Sequence, residues 1–286
     1  MTDNRTKAKR VKTANKVINT CIAIIVMALV LFPLLWMIPA AWKNKTDIWH
    51  IPPEWISPNL TWDNFKKVFE IKEGDYNFGQ SMLMTGLVSL CATIGSLFIN
   101  SFAAYAFARI EFPFKKLLWV LYLFPMFVPG ITILLTSLRV VNFLHLTDTM
   151  LVLFVPSLAS AYQAFFFRQF FLGIPTAYEE AAEIDGCNKL SIYFKVFLPM
   201  SVTPMIIQGV GVFMGHWNSF LWPALTVTGN ENLQQIMQVI RILNGRYPSE
   251  YGVVIAASLI SMIPPLIIFA IGQKYIVQGV TLTGMK

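Results

Sequence analysis

Six stretches of this sequence pass without a single Lys, Arg, Asp or Glu: Val17 to Trp42, Ser81 to Ala108, Leu117 to Leu138, Met150 to Phe167, Val196 to about Leu225, and Tyr251 to Gln273. Crossing about 30 Å of hydrocarbon takes about 20 apolar residues at helical rise. A chain that repeats such a run six times has few soluble folds open to it. The remaining composition agrees, since 56% of the residues are hydrophobic and only 13% charged, which places the chain among membrane proteins. The expected fold class is an all-α polytopic membrane protein with six transmembrane helices.

The charges between the runs set an orientation, because Lys and Arg near span ends concentrate on the inner side. With the N-terminus inside, the inner segments hold fourteen basic residues, among them Arg109, Lys115, Lys116, Arg168, Lys189 and Lys274. Six acidic residues accompany them, giving an inner balance of +8 and leaving −1 outside from the total of +7. Both termini are therefore expected in the cytoplasm of a bacterium or archaeon, in a multi-pass protein of the inner membrane. The basic excess is a topology signal and a potential contact to anionic lipid. It is spread along one rim and lines no single groove, so nucleic acid is not an expected partner. The first run starts after a basic, mostly polar stretch of sixteen residues and is too long for the apolar core of a cleaved leader, so an uncleaved span is expected. Cys21, Cys91 and Cys187 suggest neither a disulfide nor a metal framework.

The expected layout is a basic tail over 1–16, a first span over 17–42 and an outer loop over 43–80. Spans follow at 81–108, 117–138 and 150–167, then an inner loop at 172–199, a span at 200–225, an outer loop at 226–250, a span at 251–273 and an inner tail at 274–286. Trp49, Trp55 and Trp62 suit an interfacial aromatic belt. Gly86, Ser89, Thr93, Ser96, Asn100 and Ala103 share one helical face, either a close-packing seam or a pore lining. Pro125 and Pro129 predict a bend in the third span. Arg139, Asn142, His145 and Asp148 are expected in the outer turn that follows it. In the fifth span, Gln208, Gly215, Trp217, Asn218 and Trp222 suit either packing or a sugar path, since indole faces stack on sugar rings and amides meet hydroxyls. Asn244 to Gly252 has turn chemistry.

The polar insert Glu180 to Pro199 interrupts the apolar pattern. Thr176 and Glu179 have the spacing of a capping box, predicting a helix over Ala177 to Ile184. Gly186 suits the left-handed residue that ends such a helix. A second helix over Asn188 to Phe197 would bury Leu190, Tyr193, Phe194 and Phe197. Periodicity alone leaves this helical hairpin open between an inert interfacial loop and a docking element.

Glu180-Ala181-Ala182, then Asp185-Gly186, then Leu198-Pro199 match the pattern EAA-x2-DG-x11-LP. In this the chain resembles the permease subunits of ABC importers. AYAFAR at Ala104 to Arg109, MFVPG at Met126 to Gly130, Trp217-Asn218 and the final VQGVTLTGMK are similar to the maltose-type, carbohydrate-uptake branch. Val196 and Cys187 are mild departures at positions that are often Ile and Ala. The resemblance implies a type I importer permease fold with cytoplasmic coupling helices. It further implies a heterodimer with a second related permease, two ATP-binding subunits inside and an extracytoplasmic solute-binding protein outside. The chain has no G-x-x-x-x-G-K-[ST] loop. Hence it is expected to bind no cofactor, with ATP and Mg²⁺ held by the partner subunits.

By resemblance, Glu180, Ala181, Ala182, Asp185, Gly186, Leu198 and Pro199 form the joint to the ATPase. Gln278, Gly279, Thr281 and Gly284 of the tail contact the ATPase dimer, and Asn244, Gly245, Arg246, Tyr247, Pro248 and Tyr251 reach the binding protein. The solute implied is a sugar or oligosaccharide, with glycerol phosphate or another polyol as the alternative. An ion-coupled secondary transporter or channel would want ionisable residues inside the spans, which are nearly free of them. An enzyme would need clustered catalytic side chains, whereas His50, His145 and His216 are scattered.

Overall fold

The computed structural model describes residues 2–49, 54–70, 77–246 and 250–283, with the side chains of 2–12, 14, 49, 246 and 278–283 left undescribed. In chain order the helices are α1 (Thr2–Ala41), α2 (Asp63–Glu70), α3 (Phe78–Arg109), α4 (Lys115–Leu123), α5 (Gly130–Phe143), α6 (Met150–Phe154), α7 (Ala161–Leu172) and α8 (Ala177–Ile184). They continue with α9 (Lys189–Ile192), α10 (Leu198–Met200), α11 (Val202–Trp217), α12 (Leu221–Thr226), α13 (Ile236–Arg246) and α14 (Tyr251–Thr283). The only extended pairing among the described residues is an isolated bridge between Lys43 and Leu60. Among the described residues, three helical stretches are long and apolar enough to span alone: Asn15–Ala41, Phe78–Arg109 and Tyr251–Val277. Three further pairs pass only as broken spans, bent by 105° between α4 and α5, 45° between α6 and α7, and 78° at Ser201.

Several expected boundaries shift. The polar tail is helical and continuous with the first span. Arg139 and Asn142 lie inside α5, because the 105° bend lets the helix restart at Gly130 and run on to Phe143. Only His145 and Asp148 stand in the turn, both with positive φ. The run to Leu225 ends as a helix at Trp217 and resumes as α12. Asn244 and Gly245 belong to α13, and α14 carries Pro264-Pro265 without interruption through 274–283, where a separate tail was expected.

The chain divides into two compact units. In the first, residues 1–70 with 243–260, Asn64 donates to the carbonyls of Ala41 and Lys43 at 2.8 Å each. Trp42 packs on Trp62 and Phe65 at centroid distances of 5.3 and 4.6 Å. Lys67 pairs with Glu250 at 3.1 Å.

In the second, residues 71–242 with 261–286, α3 is the central helix. Its stripe of small and polar residues faces inward: Ser89, Ser96 and Asn100 are buried. Asn100 Nδ2 donates to the Leu158 carbonyl and to Gln163 Oε1, both at 2.8 Å, while Asn100 Oδ1 accepts the Ser160 amide at 2.8 Å. Buried backbone groups freed by a helix break must find partners, and this one side chain supplies them where α6 gives way to α7. Gly95 permits the approach, since a Cβ there would stand 2.7 Å from Leu158 Cδ2. At Ser89 and Asn100 the stripe is a packing seam with a polar core, while Ser96 also lines a cleft.

Candidate functional site: a helical hairpin fixed to the ends of two spans

After α7, Pro175 redirects the chain into α8. Thr176 adopts helical φ/ψ and makes no side-chain cap, so the expected capping box does not form. Glu179 turns inward, where it is more useful to a buried cation. The far end closes as glycine chemistry dictates: Gly186 takes φ +80°, and the amides of Gly186 and Cys187 return to the carbonyls of Glu183 and Ala182, both at 3.0 Å. Asn188 then caps α9 by accepting the Ser191 amide at 2.8 Å.

The second arm is not one regular helix. Tyr193–Phe197 forms a π turn, in which the Leu198 amide bonds to the Tyr193 carbonyl. Pro199 follows with no amide to give. The buried set is Ile192, Tyr193 and Phe197, all at 0% exposure, with Leu190 and Phe194 outside at 52% and 42%. The expected burial of Leu190 and Phe194 placed the core face through those residues, whereas the core takes Ile192 beside Tyr193 and Phe197.

Beneath the hairpin lies an aromatic core of Tyr105, Phe171, Tyr193 and Phe197, joined by Ala104, Ile174, Ala182 and Ile192. Tyr105 contacts Phe197 at 5.0 Å and Phe171 contacts Phe197 at 5.5 Å, the latter edge-on. Ala182 is therefore spent inside the hairpin. Of the two alanines expected at a docking surface, only Ala181 remains open.

Polar bonds tie this core to α3. Tyr105 Oη donates to the Lys189 carbonyl at 3.0 Å, and the hydroxyls of Ser101 and Tyr193 meet at 2.8 Å. Arg109, with only 8% of its side chain exposed, donates to the carbonyls of Phe171, at 2.5 Å, and Ile174. Its guanidinium stands 4.0 Å from Glu179 Oε2 and 5.1 Å from the Phe197 ring centre. Lys189 reaches Glu179 Oε1 at 2.8 Å and also bonds Glu183. Charge counting registered Arg109 only as a rim cation. The signal that marks it is its place at the last turn of α3, where a cation meets the unpaired carbonyls that end α7.

The open face of the hairpin carries Glu180, Ala181 and Asp185, with Pro199 on the second arm and Leu198 partly covered. Two residues missed in the sequence belong to it: Tyr178 at 52% exposure and Ile184 at 87%. Their spacing from Ala181 is three on either side, a helical stripe that was legible.

The expected sugar-path residues are dispersed. A cleft of about 440 Å³ is lined by Gly215 and Trp222, together with Ser96, Ser157, Gln163 and His216. Ser157 Oγ meets His216 Nε2 at 3.0 Å, and Trp222 Nε1 donates to the Val152 carbonyl at 2.8 Å. Trp217 is instead buried, its indole donating to the Ser261 carbonyl at 3.0 Å, and Gln208 is buried too. Asn218 is exposed and bonds its own helix at Met214. Of the remaining candidates, Asn244 and Gly245 end α13, Tyr251 starts α14, and Gln278, Gly279 and Thr281 lie in its last turns. Arg246 is the last residue of α13. Tyr247, Pro248 and Gly284 fall outside the described residues.

Residues 96–282, which include the whole hairpin, match the family described as "binding-protein-dependent transport system inner membrane component". The chain belongs to that family. Among similar curated proteins is the sn-glycerol-3-phosphate transport system permease protein UgpE of Yersinia enterocolitica, 28% identical over 90% of this chain and 92% of its own length. Another is the arabinooligosaccharides transport system permease protein AraQ of Halalkalibacterium halodurans, 29% identical over 89% and 91%. The probable ABC transporter permease protein YurM of Bacillus subtilis is 31% identical over 89% and 83%. In fold, the chain resembles a bacterial ABC transporter involved in import of the acidic polysaccharide alginate, with TM-score 0.78, 20% identity and coverage of 91% and 95%. This inner-membrane permease is thus a polytopic transport subunit of an ABC importer that works with a binding protein, and not an enzyme.

Proposed function

We propose that this permease moves a sugar or oligosaccharide inward by alternating access, driven through the α8–α9 hairpin by ATP-binding subunits. The supporting observation is the double attachment of that hairpin. Tyr105 of α3 bonds its Lys189 and Arg109 of α3 faces its Glu179, and the aromatic core joins it to the end of α7. Any displacement of its open face, which offers Glu180, Ala181 and Ile184, is passed to two spans at once. In this reading the hairpin and both termini lie in the cytoplasm, and Glu180 pairs with a cation of the docking subunit. ATP and Mg²⁺ are held by two such subunits, and a second related permease completes the pathway. ATP closes those subunits and so shifts the permease from inward-open to outward-open. The end of α13 meets the binding protein, and the last turns of α14 meet the ATPase dimer.

A neutral solute is favoured by the cleft, whose polar groups are hydroxyls, an amide, an imidazole and an indole set among apolar Ile133, Leu134, Leu153 and Val212, with no Lys or Arg among the described lining residues. The glycerol-phosphate alternative draws on the relatives of that specificity. The test is uptake in proteoliposomes holding the assembled transporter and its binding protein, offered radiolabelled oligosaccharides and glycerol 3-phosphate in parallel. ATP-dependent accumulation of an oligosaccharide is expected. Accumulation of glycerol 3-phosphate alone overturns the sugar reading.

A further inference from the structure

On the rim where α3 ends and α4 begins, a second cavity of about 770 Å³ lies apart from both the hairpin and the cleft. Its wall carries three cations, Lys115, Lys116 and Arg168, against one anion, Glu111. Glu111 is spent on Lys115, at 2.8 Å. Arg168 is held in place by two contacts: its Nε donates to the Phe107 carbonyl at 3.1 Å, and its guanidinium sits 4.7 Å over the Trp119 ring. That arrangement fixes the guanidinium plane with its Nε spent on a carbonyl. Lys116 is exposed at the first turn of α4, where the helix dipole also favours an anion.

Just beyond this charged wall, α4 presents Leu117, Val120 and Leu121 to the surface at 57%, 64% and 58% exposure. A fixed cationic pocket continuous with an aliphatic helix face fits a ligand that is anionic at one end and hydrocarbon at the other. We propose that this cavity binds the phosphate of an anionic phospholipid, with the acyl chains lying along α4. Lys116 and Arg168 hold the phosphodiester, Trp119 marks the depth of the headgroup, and Glu111 limits affinity by occupying Lys115.

The probe is phosphatidylglycerol, compared with phosphatidylcholine in mixed nanodiscs holding the full chain together with its co-purifying subunits. Bound lipid is read by native mass spectrometry. Preferential retention of phosphatidylglycerol is expected. Lys116→Gln lowers it about five-fold, the effect of one cation near an anionic surface. Glu111→Gln raises it, because Lys115 is released. That opposite sign separates a lipid site from a structural ion pair, whose loss would only weaken retention. Equal retention of both lipids, no effect of Lys116→Gln, or a loss in Glu111→Gln overturns the proposal. So does displacement of the lipid by millimolar inorganic phosphate, which would identify a free-phosphate site.

Discussion

Arg109 illustrates how much one side chain does at a helix junction. It satisfies two carbonyls at the end of α7 and faces Glu179 and Phe197 at once. Arg109→Ala removes two charge-assisted hydrogen bonds, and about 2–3 kcal/mol of stability should go with them. The measurement is thermal unfolding of the purified chain in detergent. Arg109→Lys should recover only part of the loss, since a single ammonium cannot span both carbonyls. Asp148 offers a pH test in the turn before α6. Its carboxylate accepts amides from Gly229, Thr228 and Asn230, and these bonds, led by Gly229, hold it below the ordinary carboxylate range. A depressed folded value means the stabilisation is complete above the unfolded pKa of about 3.9 and is lost as pH falls through the folded one. Wild type should therefore exceed Asp148→Asn by a constant margin from neutral pH down to about 5, and the two unfolding curves should converge in stronger acid.

At the scale of elements, the broken span of α6 and α7 depends on a side chain that serves backbone. Asn100→Leu leaves the Ser160 amide, the Leu158 carbonyl and Gln163 short of partners. A loss of about 1–3 kcal/mol is expected for each group left dry, seen as a lower unfolding temperature and a reduced yield of monodisperse protein. Six apolar runs were legible because length without charge is a strong constraint. The 105° turn inside one of them was not, since a segment apolar on all sides carries no phase to reveal a change of direction. Pro125 and Pro129 pointed to the place but not to the angle. The hairpin shows the same division. Gly186 and Pro199 were legible because a left-handed turn and a missing amide each admit few residues. Which of Ala181 and Ala182 faces outward was not, because two equal side chains one residue apart differ only in a phase set by the core beneath them. The π turn at Tyr193–Phe197 has no marker in sequence, and neither does the choice of Ile192 over Leu190 for the core.

For the whole transporter, the proposed joint predicts a specific kind of failure. Glu180→Arg and Ile184→Asp alter only the open face, so the chain should insert and assemble normally. In proteoliposomes, substrate-stimulated ATPase activity and uptake should fall together by about ten-fold or more, the effect of losing roughly 1.4 kcal/mol at the contact. Normal uptake in both variants would remove the hairpin from the coupling path. Parallel loss of assembly would instead show that the open face serves folding.

The helix that carries Arg109 has a geometric property with wider reach. α3 is 32 residues long without a proline or a break. At helical rise that is a rod of about 48 Å, so a tilt of about 5° pivoted at the Arg109 end sweeps the opposite end through roughly 4 Å. A movement at the hairpin too small to disturb its own packing is thereby magnified, at the far end of the membrane, into a displacement wider than a water molecule.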